Sequence, residues 1–147
     1  MSAYEWWPGR RIGAAAAVFD ASGRVLLVRH TYGPLNWELP GGASEPGESV
    51  VRTALRELCE ETGLAGDAER LTGVYWDPER DAHHFVFRCS AHGEPVPSSA
   101  EVSAGAYFDL DNLPRPISDF TIRRVEDAAA AGDVLLPIEI PPRTFLE

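Results

Sequence analysis

Residues 42–64 read GASEPGESVVRTALRELCEETGL and close on Arg56-Glu57-Leu58-Cys59-Glu60-Glu61-Thr62-Gly63-Leu64, the run whose reading decides the fold. At about 3.6 residues per turn, Glu57, Glu60 and Glu61 stand at i, i+3 and i+4, so their side chains converge on one patch. Val51, Ala54, Leu55, Leu58 and Thr62 fall on a neighbouring stripe, the apolar face that a helix presents to a core. The helix is therefore amphipathic with an acidic flank. Like charges at i, i+4 cost about 0.2–0.5 kcal/mol per pair, a repulsion between Glu57 and Glu61 that a cation removes. The same helical wheel sends Arg52 and Arg56 toward the far side of the acidic patch. By default such a charge run is a solvated, ion-paired helix face. A divalent-metal site is the competing reading, and the flanks of the run favour it.

Both ends of the helix are marked. Gly63 follows Thr62 where a glycine in the left-handed conformation closes a helix, and Pro46-Gly47 makes a turn at its start, giving a helix from Gly47 to Thr62. Upstream, Leu39-Pro40-Gly41-Gly42 runs a short apolar strand into two glycines. Glycine lets backbone come close to a ligand, so a carbonyl or amide there can meet a metal or phosphate facing the acidic patch. Glu48, near the helix start, suits the helix dipole and reads as structural.

The full pattern, Gly42, Glu48, Arg56, Glu57, Leu58, Glu60, Glu61, Gly63 and Leu64, resembles the Nudix box, the signature of hydrolases acting on a nucleoside diphosphate linked to another group. Trp37-Glu38-Leu39-Pro40 resembles the usual run into that box, and Tyr107-Phe108-Asp109 with Leu113-Pro114 resembles the family's late strand and turn. The resemblance implies an α/β/α sandwich with a mixed sheet. It also implies metal ligands at Glu57, Glu60 and Glu61 and at the Gly42 carbonyl, with Glu57 serving as ligand or general base and Arg56 holding the carboxylates in place. Glu101, six residues before Tyr107, is similar in position to a later metal-binding glutamate of the family and is the further catalytic candidate. Magnesium, with manganese as the alternative, suits such oxygen ligands and keeps several waters. The reaction implied is water attack at phosphorus, where divalent cations neutralise the charge that accumulates.

Composition excludes other classes. The chain has 147 residues, 44% hydrophobic, enough for one globular domain with a core; a Pro-rich tail is expected from about residue 133. No stretch approaches the roughly 18 apolar residues of a membrane span, and MSAYEWWPGRR lacks a signal peptide's apolar segment, so the expected location is cytoplasmic. Cys59 and Cys89 make neither a disulfide framework nor a zinc set and read as reduced packing residues. A net charge of -10 argues against nucleic-acid binding, which needs cationic side chains to release counterions. All 13 basic residues are arginine. Schiff-base chemistry and a P-loop lysine are thereby removed, while guanidinium forks remain to grip phosphate.

Periodicity gives the remaining elements. Ile12 to Phe19 and Arg24 to Arg29 read as a hairpin about Ser22-Gly23, Trp37 to Leu39 and Leu71 to Trp76 as strands, and Asp77 to Asp81 as a polar turn. His83 to Cys89 and a final Val102 to Phe108 are strands, with a loop from Gly93 to Ser99 between them. Asp119 to Ala131 is a second helix capped by Ser118, and Pro137 to Pro142 an extended surface tail. Adjacent strand residues point to opposite faces, so His83 and His84 cannot readily share one ion; by default both are structural, and the competing reading has one of them reach substrate while the other stays at the surface. Candidates for base stacking are Trp6, Trp7, Tyr32, Trp37, Tyr75, Trp76 and Phe120, of which Tyr32 and Trp76 lie in or beside loops; Arg29 is the candidate phosphate grip. The expected partner is a small nucleotide or diphosphate, and the chain a monomer or homodimer. Alternatives are an ADP-ribose or nucleotide-sugar pyrophosphatase, toward which Pro78 points without the surrounding aromatic run, and a nucleotide-binding sensor without turnover.

Overall fold

The computed structural model describes residues 11–134 and 136–147; Trp6 and Trp7 lie outside them. Strand β1 (Arg11–Val18) carries four consecutive alanines, and from Gly13 onward it is buried on both faces. Successive strand residues point to opposite sides. Ala14, Ala16 and Val18 enter one core with Ala54, Leu58 and Phe87, and Ala15 and Ala17 enter another with Tyr75, Phe120 and Val125. Helix α1 (Val50–Thr62) covers the first core and helix α2 (Asp119–Ala129) the second. This is the α/β/α arrangement, and the methyl side chains of β1, an interior strand, let both layers approach it.

The strands form two mixed sheets. After β1 come β2 (Val25–His30), β3 (Trp37–Glu38), β4 (Gly41–Ala43), β5 (Gly66–Asp77), β6 (Ala82–Ala91), β7 (Val102–Phe108), β8 (Ile117–Ser118), β9 (Ile138–Glu139) and β10 (Phe145–Leu146). One sheet runs β4-β1-β6-β5-β9 and the other β10-β8-β3-β2-β7, with parallel pairs in both. The expected hairpin of β1 and β2 is corrected: the two strands part into different sheets, joined by an antiparallel bridge between Phe19 and Val25. Both strands are apolar on two faces, so each gains more by sitting inside its own sheet than by pairing with the other.

Several boundaries also move. Leu71 to Trp76 lies in the second half of a 12-residue strand, β7 is followed by three short strands, and the second helix stops at Ala129. The tail is extended, as its prolines require, but it is not merely laid on the surface. β9 pairs with β5, Ile140 is buried, and β10 pairs with β8, so the tail clasps one sheet to the other.

Helix α1 is capped at both ends as its sequence dictates. The Ser49 hydroxyl accepts the Arg52 N–H, and Gly63, at φ 75°, donates its N–H to the Cys59 carbonyl. Leu58 is fully buried, a contribution of about 1.5–3 kcal/mol from its side chain. Val51, expected on the apolar stripe, is exposed, and Cys59 is an exposed free thiol rather than a packing residue; Thr53 and Glu61 are buried in their stead. Among the described residues no helix is long and apolar enough to cross a membrane.

Candidate active site

Helix α1 and strand β4 meet at the two glycines. The Gly41 N–H donates to Glu61 Oε2 at 3.0 Å, and a Cβ on Gly42 would stand 2.7 Å from Glu57 Oε1. Only glycine lets this backbone lie flat against the acidic flank. β4 is held in turn by its antiparallel pairing with β1, so the fold fixes the glycines and the glutamates against each other.

Arg56 organises the carboxylates. Its Nε and Nη2 donate to the two oxygens of Glu48 at 2.7 and 3.0 Å, its Nη1 to Glu57 and Glu60 at 3.0 and 3.2 Å, and its Nη2 also to the Ala43 carbonyl at 3.1 Å. All five guanidinium donors are used. The wheel projection placed this side chain on the far side of the patch; its length instead carries the guanidinium back among the glutamates. Hydrogen bonds from Arg56 and Thr53 hold the Glu48 carboxyl down at about 2, so Glu48 anchors the arginine. The structure thus brings Arg56, Glu57, Glu60 and Gly42 together.

The other acids are poised differently. Burial, then repulsion from Glu57, Glu38 and Glu101, pushes Glu61 up to about 8 against the pull of the Gly41 N–H. Burial also raises Glu57, opposed by Arg56. Glu101 lies on the exposed loop before β7, near enough for its charge to act on Glu57, Glu61, His30 and Tyr32. Among the described residues no three acids, histidines or thiols already stand as a ligand set, because Arg56 engages Glu57 and Glu60 while Gly41 engages Glu61. The donors nevertheless fit a hard dication: all are oxygens, and the burial and neighbouring carboxylates that raise Glu57 and Glu61 are what a bound cation offsets.

Beside this acidic rim a cleft of about 270 Å³ opens between the two sheets, with Gly41, Gly42 and Ala43 on the shared border. Tyr32 lines it, 54% exposed and stacked on His30 with ring centroids 4.6 Å apart. Of the two adjacent histidines, His84 faces the cleft and His83 packs on Trp76. Strand parity takes Trp76 with it, so Trp76 is not brought to the cleft. Arg29 is not brought there either, since its Nε donates to the Leu35 carbonyl. Tyr75 is fully buried in the core, and Trp37 meets Phe108 edge-on.

Phe120, one of the stacking candidates, and Glu38, in the run before the glycines, line the cleft, and so do Arg124, Arg80 and Arg143, which sequence reasoning missed. Arg124 caps the Phe120 ring at 4.0 Å and makes an ion pair with Glu38. Burial raises Glu38, but Arg124 and a hydrogen bond from Thr121 bring it below its ordinary value. The spacing of Phe120 and Arg124 on one helix face was a usable signal. Arg143, in a tail of prolines, carried none.

Residues 9–127 match the family model described as the NUDIX domain. A putative 8-oxo-dGTP diphosphatase of Bacillus subtilis is 37% identical over 117 residues, covering 74% of this chain and 78% of that protein. An ADP-ribose pyrophosphatase of Methanocaldococcus jannaschii is 32% identical over 108 residues, covering 69% and 64%. Among solved structures, an ADP-ribose pyrophosphatase from Streptococcus suis is similar with a TM-score of 0.71 at 23% identity, over 90% of this chain and 100% of the other, a likeness of fold alone. The acidic helix, the glycine strand that it faces and a domain match over most of the length lead to one assignment: the chain belongs to the Nudix family of hydrolases.

Proposed function

We propose that the chain is a magnesium-dependent pyrophosphohydrolase, with manganese able to substitute, that cleaves a phosphoanhydride bond of a nucleoside triphosphate or related nucleotide by water attack at phosphorus. The observation that carries this reading is the enforced closeness of Glu57 and Glu61 to the backbone of Gly41 and Gly42, with a carboxyl at Glu61 raised by burial and then by its acidic neighbours. Glu57, Glu60, Glu61 and the Gly42 carbonyl are the ligands in this reading. When bound, a dication neutralises charge on the diphosphate and makes water a better nucleophile.

The remaining work falls to the chain itself. Arg56 orients Glu57 and Glu60, and Glu48 fixes Arg56. Glu57 or Glu101 takes the proton from the attacking water, and Tyr32 offers an exposed ring to a base. The identity to the Bacillus subtilis protein favours a nucleoside triphosphate, split into monophosphate and pyrophosphate. The identity to the Methanocaldococcus jannaschii protein supports ADP-ribose as the second substrate class.

The test is product release from a nucleotide panel with and without magnesium, the products identified by phosphorus NMR. Turnover that needs the metal supports the reading. Tight binding without turnover on any member replaces the enzyme with a sensor. Glu101→Gln, on an exposed loop, is expected to lower turnover by at least about tenfold if it takes the proton; hydrolysis within severalfold of wild type removes it from the mechanism.

A further inference from the structure

On the side of the cleft formed by β5 and the tail, hydrogen-bond donors crowd onto one carboxylate. Asp77 is buried there, and its Oδ1 accepts the N–H groups of Glu79 and Arg80 at 3.1 and 3.3 Å. Its Oδ2 accepts Arg80 Nη1 at 3.1 Å and Arg143 Nη2 at 3.2 Å. An ionised carboxylate has about four lone-pair sites, so these contacts fill it. Guanidinium groups accept nothing. Two buried atoms remain without a hydrogen-bond partner among the described residues, Arg143 Nε and His84 Nε2, and the latter lies 3.8 Å from Asp77 Oδ2.

His84 is neutral at physiological pH, since burial and the charges of Arg124 and Arg143 push it down to about 4. The carboxylate beside Nε2 favours the tautomer that carries its proton there, which makes His84 another donor. Two arginines thus share one aspartate oxygen and leave a positive charge over. Arg80 is the accessible member, with 45% of its side chain exposed, while the clasping tail holds Arg143 beneath it, 4.7 Å from the Phe120 ring.

The group begins beside the glycines and runs outward. His84 Nδ1 and the Gly42 carbonyl oxygen stand 3.1 and 3.4 Å from the point where a Cβ on Gly13 would fall, so His84 borders the diphosphate end. Arg80 and Arg143 are held on Asp77, one strand farther across the sheet, and so extend toward whatever the diphosphate carries.

We propose that Arg80, Arg143 and His84 form the subsite for the moiety carried on the diphosphate, and that this subsite selects moieties presenting acceptors, a ring carbonyl or an anionic oxygen, over moieties presenting donors. A donor brought here finds Asp77 already filled, and its desolvation is uncompensated. An acceptor draws Arg80 toward it and frees a lone pair of Asp77 for His84. The inference deepens the hydrolase reading and rests on it only for what happens at the glutamate end.

Two comparisons test it, made by calorimetry in EDTA so that turnover plays no part. Inosine and adenosine monophosphates differ at the ring position that is carbonyl in one and amino in the other; adenosine 3′,5′-bisphosphate adds an anionic group to the latter. Wild type is expected to bind at least one acceptor-bearing partner about tenfold tighter than adenosine monophosphate, the low end of what a paired donor contact gives. The comparison that shows the preference tells a carbonyl from an anion. Arg80→Gln, in a surface turn, and Arg143→Lys, which keeps a charge beside Asp77 without the fork, are each expected to bring that ratio to within about twofold. With triphosphates and magnesium, the preference is expected in KM rather than in kcat. Equal wild-type affinities in both comparisons, or a ratio that survives both substitutions, overturns the subsite. Absence of turnover on every nucleotide, with the binding preference present and lost in Arg80→Gln, supports the subsite while removing the hydrolase reading.

Discussion

Glu61→Gln should make the metal-free protein more stable while abolishing hydrolysis. Glu61 is 3% exposed, and its carboxyl is raised from an ordinary 4.5 to about 8 by burial and by Glu57, Glu38 and Glu101. Between those two values the folded protein keeps a proton that the unfolded chain has lost, so stability falls as pH rises across the window. Each pH unit is worth about 1.4 kcal/mol, which gives a loss on the order of 4 kcal/mol between pH 5 and pH 8. The amide is close in shape, cannot ionise, and retains a carbonyl oxygen for the Gly41 N–H. At about 2–4 °C per kcal/mol for a chain of this size, the difference is roughly 10 °C in Tm. Thermal melts in EDTA at pH 5 and pH 8 measure it. Wild type and variant should melt together at pH 5, and the variant should melt higher at pH 8. Added magnesium at pH 8 should raise the wild type far more than the variant, because a ligand of the folded state stabilises by mass action. Parallel pH profiles, or a variant less stable at pH 8, would refute the idea that Glu61 is held under electrostatic and desolvation stress.

Other substitutions probe the supports of the site. Arg56→Lys keeps one charge but loses the fork shared by Glu48, Glu57 and Glu60, and magnesium titrations of activity should show affinity or rate down about 10- to 100-fold, as for other groups that orient metal ligands. Gly42→Ala sets a Cβ against the movable Glu57 carboxylate at 2.7 Å, so the melt should change little while metal-dependent turnover falls. Gly41→Ala meets the Ala14 carbonyl at 2.6 Å and Ala15 at 2.7 Å, both part of the sheet. That variant should instead lose stability by about 1–3 kcal/mol in urea unfolding, the usual scale for overpacking.

What the sequence disclosed follows from how local each feature is. The acidic helix, its glycine stop, the Ser118 cap and the Val102–Phe108 strand depend on neighbours a few residues away, and a period or a capping residue announces them. The parting of β1 and β2 depends on which face each strand buries, and two doubly apolar strands about a Ser-Gly turn look like a hairpin from either side. Likewise, Arg56 could be placed by its Cβ direction, but only the three-dimensional site shows where its guanidinium ends. The cleft wall was hidden for the same reason. Arg80, Arg124 and Arg143 come from a turn, a helix and a tail, more than forty residues apart from first to second, and contact at that separation leaves no short-range pattern. Strand parity did separate His84 from His83, because it is a local rule.

The four alanines of β1 act as a shim. Ala16 and Ala17 are wholly enclosed, one methyl facing each helix, so the gap between the acidic helix and the sheet is gauged by the smallest side chain that still has a Cβ. A thicker residue such as valine at Ala16 would jack α1 away from the strand that carries Gly41 and Gly42, and the carboxylates would ride outward with it. Catalytic alignment in this protein can therefore be detuned from beneath, by a residue that no substrate ever touches.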